Sequence, residues 1–346
     1  MQTSWSVILN LWDVIQLDEK WFNADKLPLL APVTMKPEGP SSTARLVCGR
    51  SFSSPRQPEA PANAQQPVLY DELIRVPSMS DLSNSDRRFH HFPYALYAVD
   101  VKFQPAQRPT GRFAEHKHYF SGKHHLCGCK IEASVSPEGR CVAMSKSFPG
   151  SVHDLRILQT RTAVHATNLL KSEGEQDVPD YGELSAQYGG SWACLVDMGY
   201  IGIAYSLRGI HSKRRPVHGV LDADDMDRNH DISSDRVVVK NFFGRVCTLW
   251  KISLATYTWD EKNYYTIQRT TFALTNFHLS LMPLRAEDEG FYRSVIARYE
   301  QMANEKKRKR SEAQRHYRLN RQERLSRYTL SVAIDESLEQ QLLDDG

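Results

Sequence analysis

Two aspartates stand where a charge is hard to account for unless something binds it. Asp100 lies near the end of the apolar run YALYAVDVKF, residues 94–103, and Asp197 closes a second short run, WACLVD, residues 192–197. A carboxylate at the end of an apolar strand loses hydration, which is costly without a compensating partner. Oxygen donors gathered from distant parts of a chain suit hard divalent cations such as Mg2+ or Mn2+. Two such ions about 3.5–4 Å apart can activate an attacking oxygen and stabilise a leaving one in phosphodiester transfer. Taken singly, each aspartate also fits a strand end that faces solvent.

Bringing the two acids together requires a particular set of elements. The run at 94–103 is rich in β-branched and aromatic residues and predicts a buried strand. A second strand is expected over 125–135 (HLCGCKIEASV), then the turn Ser136-Pro137-Glu138-Gly139, then a third strand over 141–148 (CVAMSKSF) that makes the pair a hairpin. Ser151 can cap a helix running through about Leu170. Residues 171–190 read as a loop, and 192–197 as the fourth strand. A helix is expected from Asp235 to about Leu249 with Ser233 or Ser234 as its cap, and another over 261–281. The order strand, strand, strand, helix, strand, helix is that of an RNase H-like mixed α/β sheet flanked by helices.

Composition adds boundaries. The 346 residues are 40% hydrophobic and 25% charged, as in an ordinary globular protein. No run approaches 18 apolar residues, so no membrane span is expected, and the first residues lack the pattern of a signal peptide. The six cysteines include no CxxC pair and are expected as free thiols in a reducing compartment. His124, His125, Cys127 and Cys129 mix two metal-ligand types, but their spacing matches no zinc motif. Residues 1–27 form a short N-terminal segment. The stretch 28–69 is rich in Pro, Ser, Ala and Gln, and a disordered linker is expected over 28–90. The folded domain is expected over 91–286, and a basic helix with an acidic tail over 287–346. Net charge is only +3, yet Lys306 to Arg327 holds ten Lys or Arg against Glu312 and Glu323, an excess of eight that leaves the rest at −5. Lys306, Lys307, Arg308, Lys309 and Arg310 read as a nuclear-localisation cluster. Arg315, Arg318, Arg321, Arg324 and Arg327 continue it as a helical stripe suited to nucleic acid.

Six ordered motifs then point to a family. AVDVKFQ, RPTG with YFSGKHHLCGCKIEASVSPEG, PGSVHDLRIL, LVDMGYIG, RVVVKNFFGR and LTNFHLSLMPLR occur in that order over residues 92–286. This stretch resembles the DDE superfamily endonuclease domain of Harbinger-type transposases and of proteins derived from them. The resemblance implies metal-ligating acids at Asp100, at Asp197 and at a Glu in the fifth motif. It adds a further acid at Asp154, which in the first turn of a helix could equally complement the helix dipole. It also places Lys117, Lys123 and Lys130 beside the catalytic face, where they could contact phosphates.

The departure is at the third acid, where this chain has Lys240. An ammonium offers donors only and cannot coordinate a metal while protonated. Lys240 is therefore expected to pair with Asp100 and Asp197 and to stand in for one ion. One divalent cation rather than two would remain on Asp100, Asp197 and Asp154, with cleavage impaired. The alternatives are an active metal-dependent nuclease that recruits another acid such as Glu115, and a non-catalytic nuclear interaction protein that works through its basic tail. DNA is the expected partner, together with a separate DNA-recognition protein of the kind Harbinger-type elements use. A second, shorter likeness, WDVIQLDEKWF at 12–22, is similar to the first catalytic stretch of mariner-type transposases.

Overall fold

The computed structural model describes residues 72–107, 117–217, 219–258 and 260–344, with side chains as far as Arg327. Seven strands form one mixed sheet: β1 (Ala95–Pro105), β2 (Phe120–Ser121), β3 (Leu126–Val135), β4 (Cys141–Met144), β5 (Phe148–Pro149), β6 (Ala193–Leu195) and β7 (Gly209–Ile210). Their order is β2-β3-β1-β6-β7, with β4 and β5 also pairing with β3. β1 runs antiparallel to β3 and parallel to β6, and β6 runs parallel to β7. β1 is the central strand and is covered on both faces, so its first five residues are apolar and the buried Lys102 and Gln104 further along donate to the carbonyls of Ser253 and Ile252.

Helices cover both faces, as the RNase H-like reading requires. On one side lie α1 (Met79–Asn84), α2 (Asp154–Thr160) and α3 (Thr162–Leu169), packed through Met79, Leu82, Leu158 and Leu169 onto Leu96, Val99 and Val196. On the other lie α4 (Ala223–Leu249), the short α5 (Lys251–Leu254), α6 (Glu261–Leu281) and α7 (Ala286–Asp344). There Val239, Phe242, Phe243, Phe272, Tyr292 and Tyr299 close on Phe103, Ile131 and Val135.

Several boundaries differ from the sequence expectation for local reasons. The single helix expected from Ser151 is two, broken at Arg161, and its cap is His153. The hydroxyls of Thr160 and Thr162 donate to the carbonyls of Ile157 and Gln159, competing with the helix ladder at the break. The strand expected over 141–148 is divided into β4 and β5. α4 begins twelve residues before Asp235, capped by Asp222, whose carboxylate accepts the Asp225 N–H at 2.7 Å. Asp224 and Asp225 complement the N-terminal dipole there, and Ser233 and Ser234 are exposed mid-helix residues. α6 spans the expected 261–281, capped by Asp260.

The end of the expected linker is ordered as well. Ile74, Met79, Leu82 and Phe89 are buried, and α1 opens with a capping box between Ser78 and Asp81. Asp235 accepts the N–H groups of His91 and Phe92, both at 3.0 Å. The Nδ2 of Asn276 donates to the carbonyls of Leu73 at 2.7 Å and Cys141 at 2.6 Å. Composition obscured these ties because the apolar residues are spaced among serines and aspartates. Residues 1–71, including the 12–22 stretch, lie outside the described residues.

The first turns of α7 belong to the core, through Tyr292, Val295, Tyr299 and Ala303. They cross α4 at Gly244, where an added Cβ would lie 1.9 Å from the Asp288 carbonyl oxygen. Arg245 then locks the crossing with two bonds to Asp288 at 3.0 and 2.8 Å and one each to the carbonyls of Met282 and Pro283. The Phe-Phe-Gly-Arg sequence at 242–245 is thus two core aromatics, a close approach and a clamp.

Candidate functional site

The register places the two aspartates side by side. Ala98 of β1 is level with Leu195 of the parallel β6, so Asp100 and Asp197, two residues further along, leave the same edge of the sheet. Asp100 is a quarter exposed and Asp197 about half. Burial pushes the Asp100 carboxyl above its usual 3.8. Arg236 and the Val101 N–H, which donates to Oδ1 at 2.8 Å, oppose that rise, while Asp197 adds to it.

The cation that meets both acids is Arg236, one turn before the residue expected to do so. Its Nη1 donates to Asp197 Oδ1 at 3.0 Å, and its Nη2 stands 4.0 Å from Asp100 Oδ2. Only 10% of the Arg236 side chain is exposed. Its Nε is buried without a hydrogen-bond partner among the described residues. Lys240 follows at i+4 on the same stripe of α4, among Val239 and Phe243 of the core. It is half-buried, and it forms no ion pair with Asp100 or Asp197 or with any other described residue. The expected Lys240 bridge is therefore replaced by Arg236. The signal was present in the sequence as an arginine four residues upstream, on the same helical face.

Asp154 is engaged elsewhere. It is the first residue of α2, and its carboxylate meets Lys130 at 2.9 Å and Lys123 at 3.4 Å. Burial alone would raise its pKa, but the two lysines hold it below 3.8. Lys130 is not a surface contact as the sequence reading supposed. Only 5% of its side chain is exposed, and its ammonium also donates to the Val152 carbonyl at 2.6 Å. Lys123 remains 63% exposed, and Lys117 is exposed. The hydroxyl of Tyr200 is buried without a partner among the described residues, and the Asp100, Glu132 and Asp154 carboxylates add to burial in raising its pKa. Glu132, unremarked in the sequence, is fully buried and bonds Arg161 and His165, whose other ring nitrogen meets the Tyr97 hydroxyl at 2.9 Å.

The remaining groups fall on the surface or in the core. Lys306, Lys307, Arg308, Lys309 and Arg310 are exposed on α7, as are Arg315, Arg318, Arg321, Arg324 and Arg327. Cys127, Cys129, Cys141, Cys194 and Cys247 are buried free thiols, and His124 is stacked on Phe103 at 4.2 Å. Glu115 lies outside the described residues.

A two-ion centre of three acids does not fit these residues. Among the described residues, no group of three His, Cys, Asp or Glu side chains is placed to hold one metal ion. Asp100 and Asp197 share a guanidinium, Asp154 is bound to two lysines, and Lys240 stands where a third acid was expected from the sequence. Among the described residues, no helix is long and apolar enough to cross a membrane.

Comparison with protein families matches residues 99–276, just over half of the chain, to the family described as DDE superfamily endonuclease. Comparison with curated proteins and with solved structures found no match.

Proposed function

The chain belongs to the DDE superfamily endonucleases, and from that premise we propose that it is a Harbinger-type transposase derivative that binds DNA but is impaired in strand cleavage. The observation that carries the reading is the Arg236 guanidinium shared by Asp100 and Asp197, one turn from a lysine at the third-acid position. A glutamate at position 240 would stand at i+4 to Arg236 and could draw the guanidinium along the helix, leaving the two aspartates to a metal. Lys240 repels it instead, which favours its pairing with the aspartates. A divalent cation, Mg2+ or Mn2+, would supply Lewis-acid activation of a phosphodiester if bound. On this chain a single ion at Asp100 and Asp197 would have to displace Arg236.

The test is divalent-ion-dependent nicking of supercoiled DNA by the wild type, Asp100→Ala, Lys240→Glu, and Lys240→Glu combined with Asp100→Ala. The expected result is an inert wild type, nicking by Lys240→Glu, and loss of nicking when Asp100→Ala is added. Cutting by the wild type that Asp100→Ala abolishes would refute the impaired-nuclease reading. A second reading, a nuclear interaction protein acting through its tail, is favoured by the exposure of the ten cations between Lys306 and Arg327. Under that reading, neutralising those residues would abolish nuclear accumulation and all nucleic-acid binding, leaving none for the core.

A further inference from the structure

The mismatch between the expected metal centre and the residues present has a chemical consequence. Asp100 and Asp197 share Arg236, with Lys240 one turn along α4, while Asp154 is held apart from them by Lys123 and Lys130, so three acids are set against four cations. The formal charge is one positive. A glutamate at position 240 would make it one negative, and such a site needs divalent cations before a phosphate can approach. Lys240 supplies a half-buried ammonium without a partner among the described residues, one turn along α4 from Arg236. Arg236 is mostly buried and its terminal nitrogens face Asp197 and Asp100, so Lys240 is the cation on this face of α4 whose donors the described residues leave unused. A tetrahedral phosphate presents acceptors only. It is the ligand class that matches this surplus, by the charge-assisted bonding that lysine and arginine use elsewhere for phosphates.

We propose that Lys240, seated beside Arg236 on α4, binds a backbone phosphate of DNA directly, with no divalent cation between protein and nucleic acid. The proposal rests on the DNA-binding reading above and deepens it by exchanging metal-bridged recognition for direct cation–phosphate contact. Lys240 then acts as a ligand for the nucleic acid at the position from which the family would hold a metal.

The experiment uses the full chain and a fluorescently labelled duplex. Dissociation constants are measured by anisotropy across a salt series, in EDTA and in Mg2+, for the wild type, Lys240→Gln and Lys240→Glu. The wild type is expected to bind as tightly in EDTA as in Mg2+. Lys240→Gln removes the charge, leaves a polar side chain one atom shorter, and should weaken binding in EDTA by about tenfold, the scale of one charged hydrogen bond. It should also flatten the salt dependence by about one phosphate contact. Lys240→Glu should bind more weakly still in EDTA and recover when Mg2+ is added. Unchanged affinity and salt slope in Lys240→Gln would overturn the proposal, as would wild-type binding that appears only with Mg2+. Both of those outcomes leave DNA binding itself standing. A wild type that binds no DNA in either buffer would sink the DNA-binding reading and this inference together.

Discussion

Replacing Asp197 by asparagine should destabilise the folded chain, and the sign of that effect separates a cation-bridged acid pair from an empty metal site. In a cluster of acids awaiting a metal, Asp→Asn relieves repulsion and raises stability when a chelator is present. Here Asp197 accepts from Arg236 at 3.0 Å. Two unit charges at that distance attract by about 1.4 kcal/mol in water and about 5.5 kcal/mol at an effective dielectric of 20. Asp197 is 48% exposed, so the contact itself is worth about 1 kcal/mol after screening. The larger consequence falls on Arg236, nine-tenths buried, which keeps the asparagine oxygen as an acceptor but is left with Asp100 at 4.0 Å as its one charged partner among the described residues. Losing one of two compensating charges beside a mostly buried guanidinium adds about 1–2 kcal/mol. Relief of the Asp100–Asp197 repulsion offsets part of this, for a net loss of about 2 kcal/mol. The assay is urea unfolding in EDTA at neutral pH for the wild type, Asp197→Asn, Arg236→Met and the double variant. The midpoint should fall in Asp197→Asn with an unchanged slope, and the cycle should show a coupling of about 1 kcal/mol. A raised midpoint, or no coupling between the two positions, would refute the bridging role of Arg236.

Two further substitutions probe the frame that holds this site. Gly244→Ala puts a Cβ 1.9 Å from the Asp288 carbonyl oxygen, a backbone atom that cannot swing aside. It should cost about 3 kcal/mol or more, and faster hydrogen exchange in residues 286–303 would show α7 lifting from α4. Asp180 pairs with Lys171 at 3.1 Å and with Arg208, and its side chain is only 4% exposed. Burial would raise its pKa, but hydrogen bonds from Arg208, the Gly182 N–H and Lys171 bring it from 3.8 to about 2. A depressed carboxylate adds stability that is present above pH 3.8 and lost as pH falls through about 2, here about 2 kcal/mol. Asp180→Asn should therefore be less stable at neutral pH and should lose that step in an acid unfolding series. A variant whose profile between pH 4 and 2 parallels the wild type would contradict the assignment.

The sequence alone determined the central strands, the placement of Asp100 and Asp197 at one edge and the helix at 261–281. These follow from short-range facts: apolar runs, turn residues, capping groups and ordered motifs. It did not determine where α4 begins, because an aspartate cap at position 222 competes with two serines that look equally suitable. Nor did it place residues 72–90 in the core, since their burial depends on Asp235 and Asn276, which lie far along the chain. The identity of the bridging cation is of the same kind. Arg236 and Lys240 share one helical face, and sequence spacing cannot say which of them reaches across to the sheet. Only the packing of α4 decides it, because Val239, Phe242 and Phe243 set the helix at a depth where the guanidinium one turn earlier meets both carboxylates. The same packing leaves the Lys240 ammonium without a partner among the described residues, since a charge pairs with whatever the backbone brings within reach.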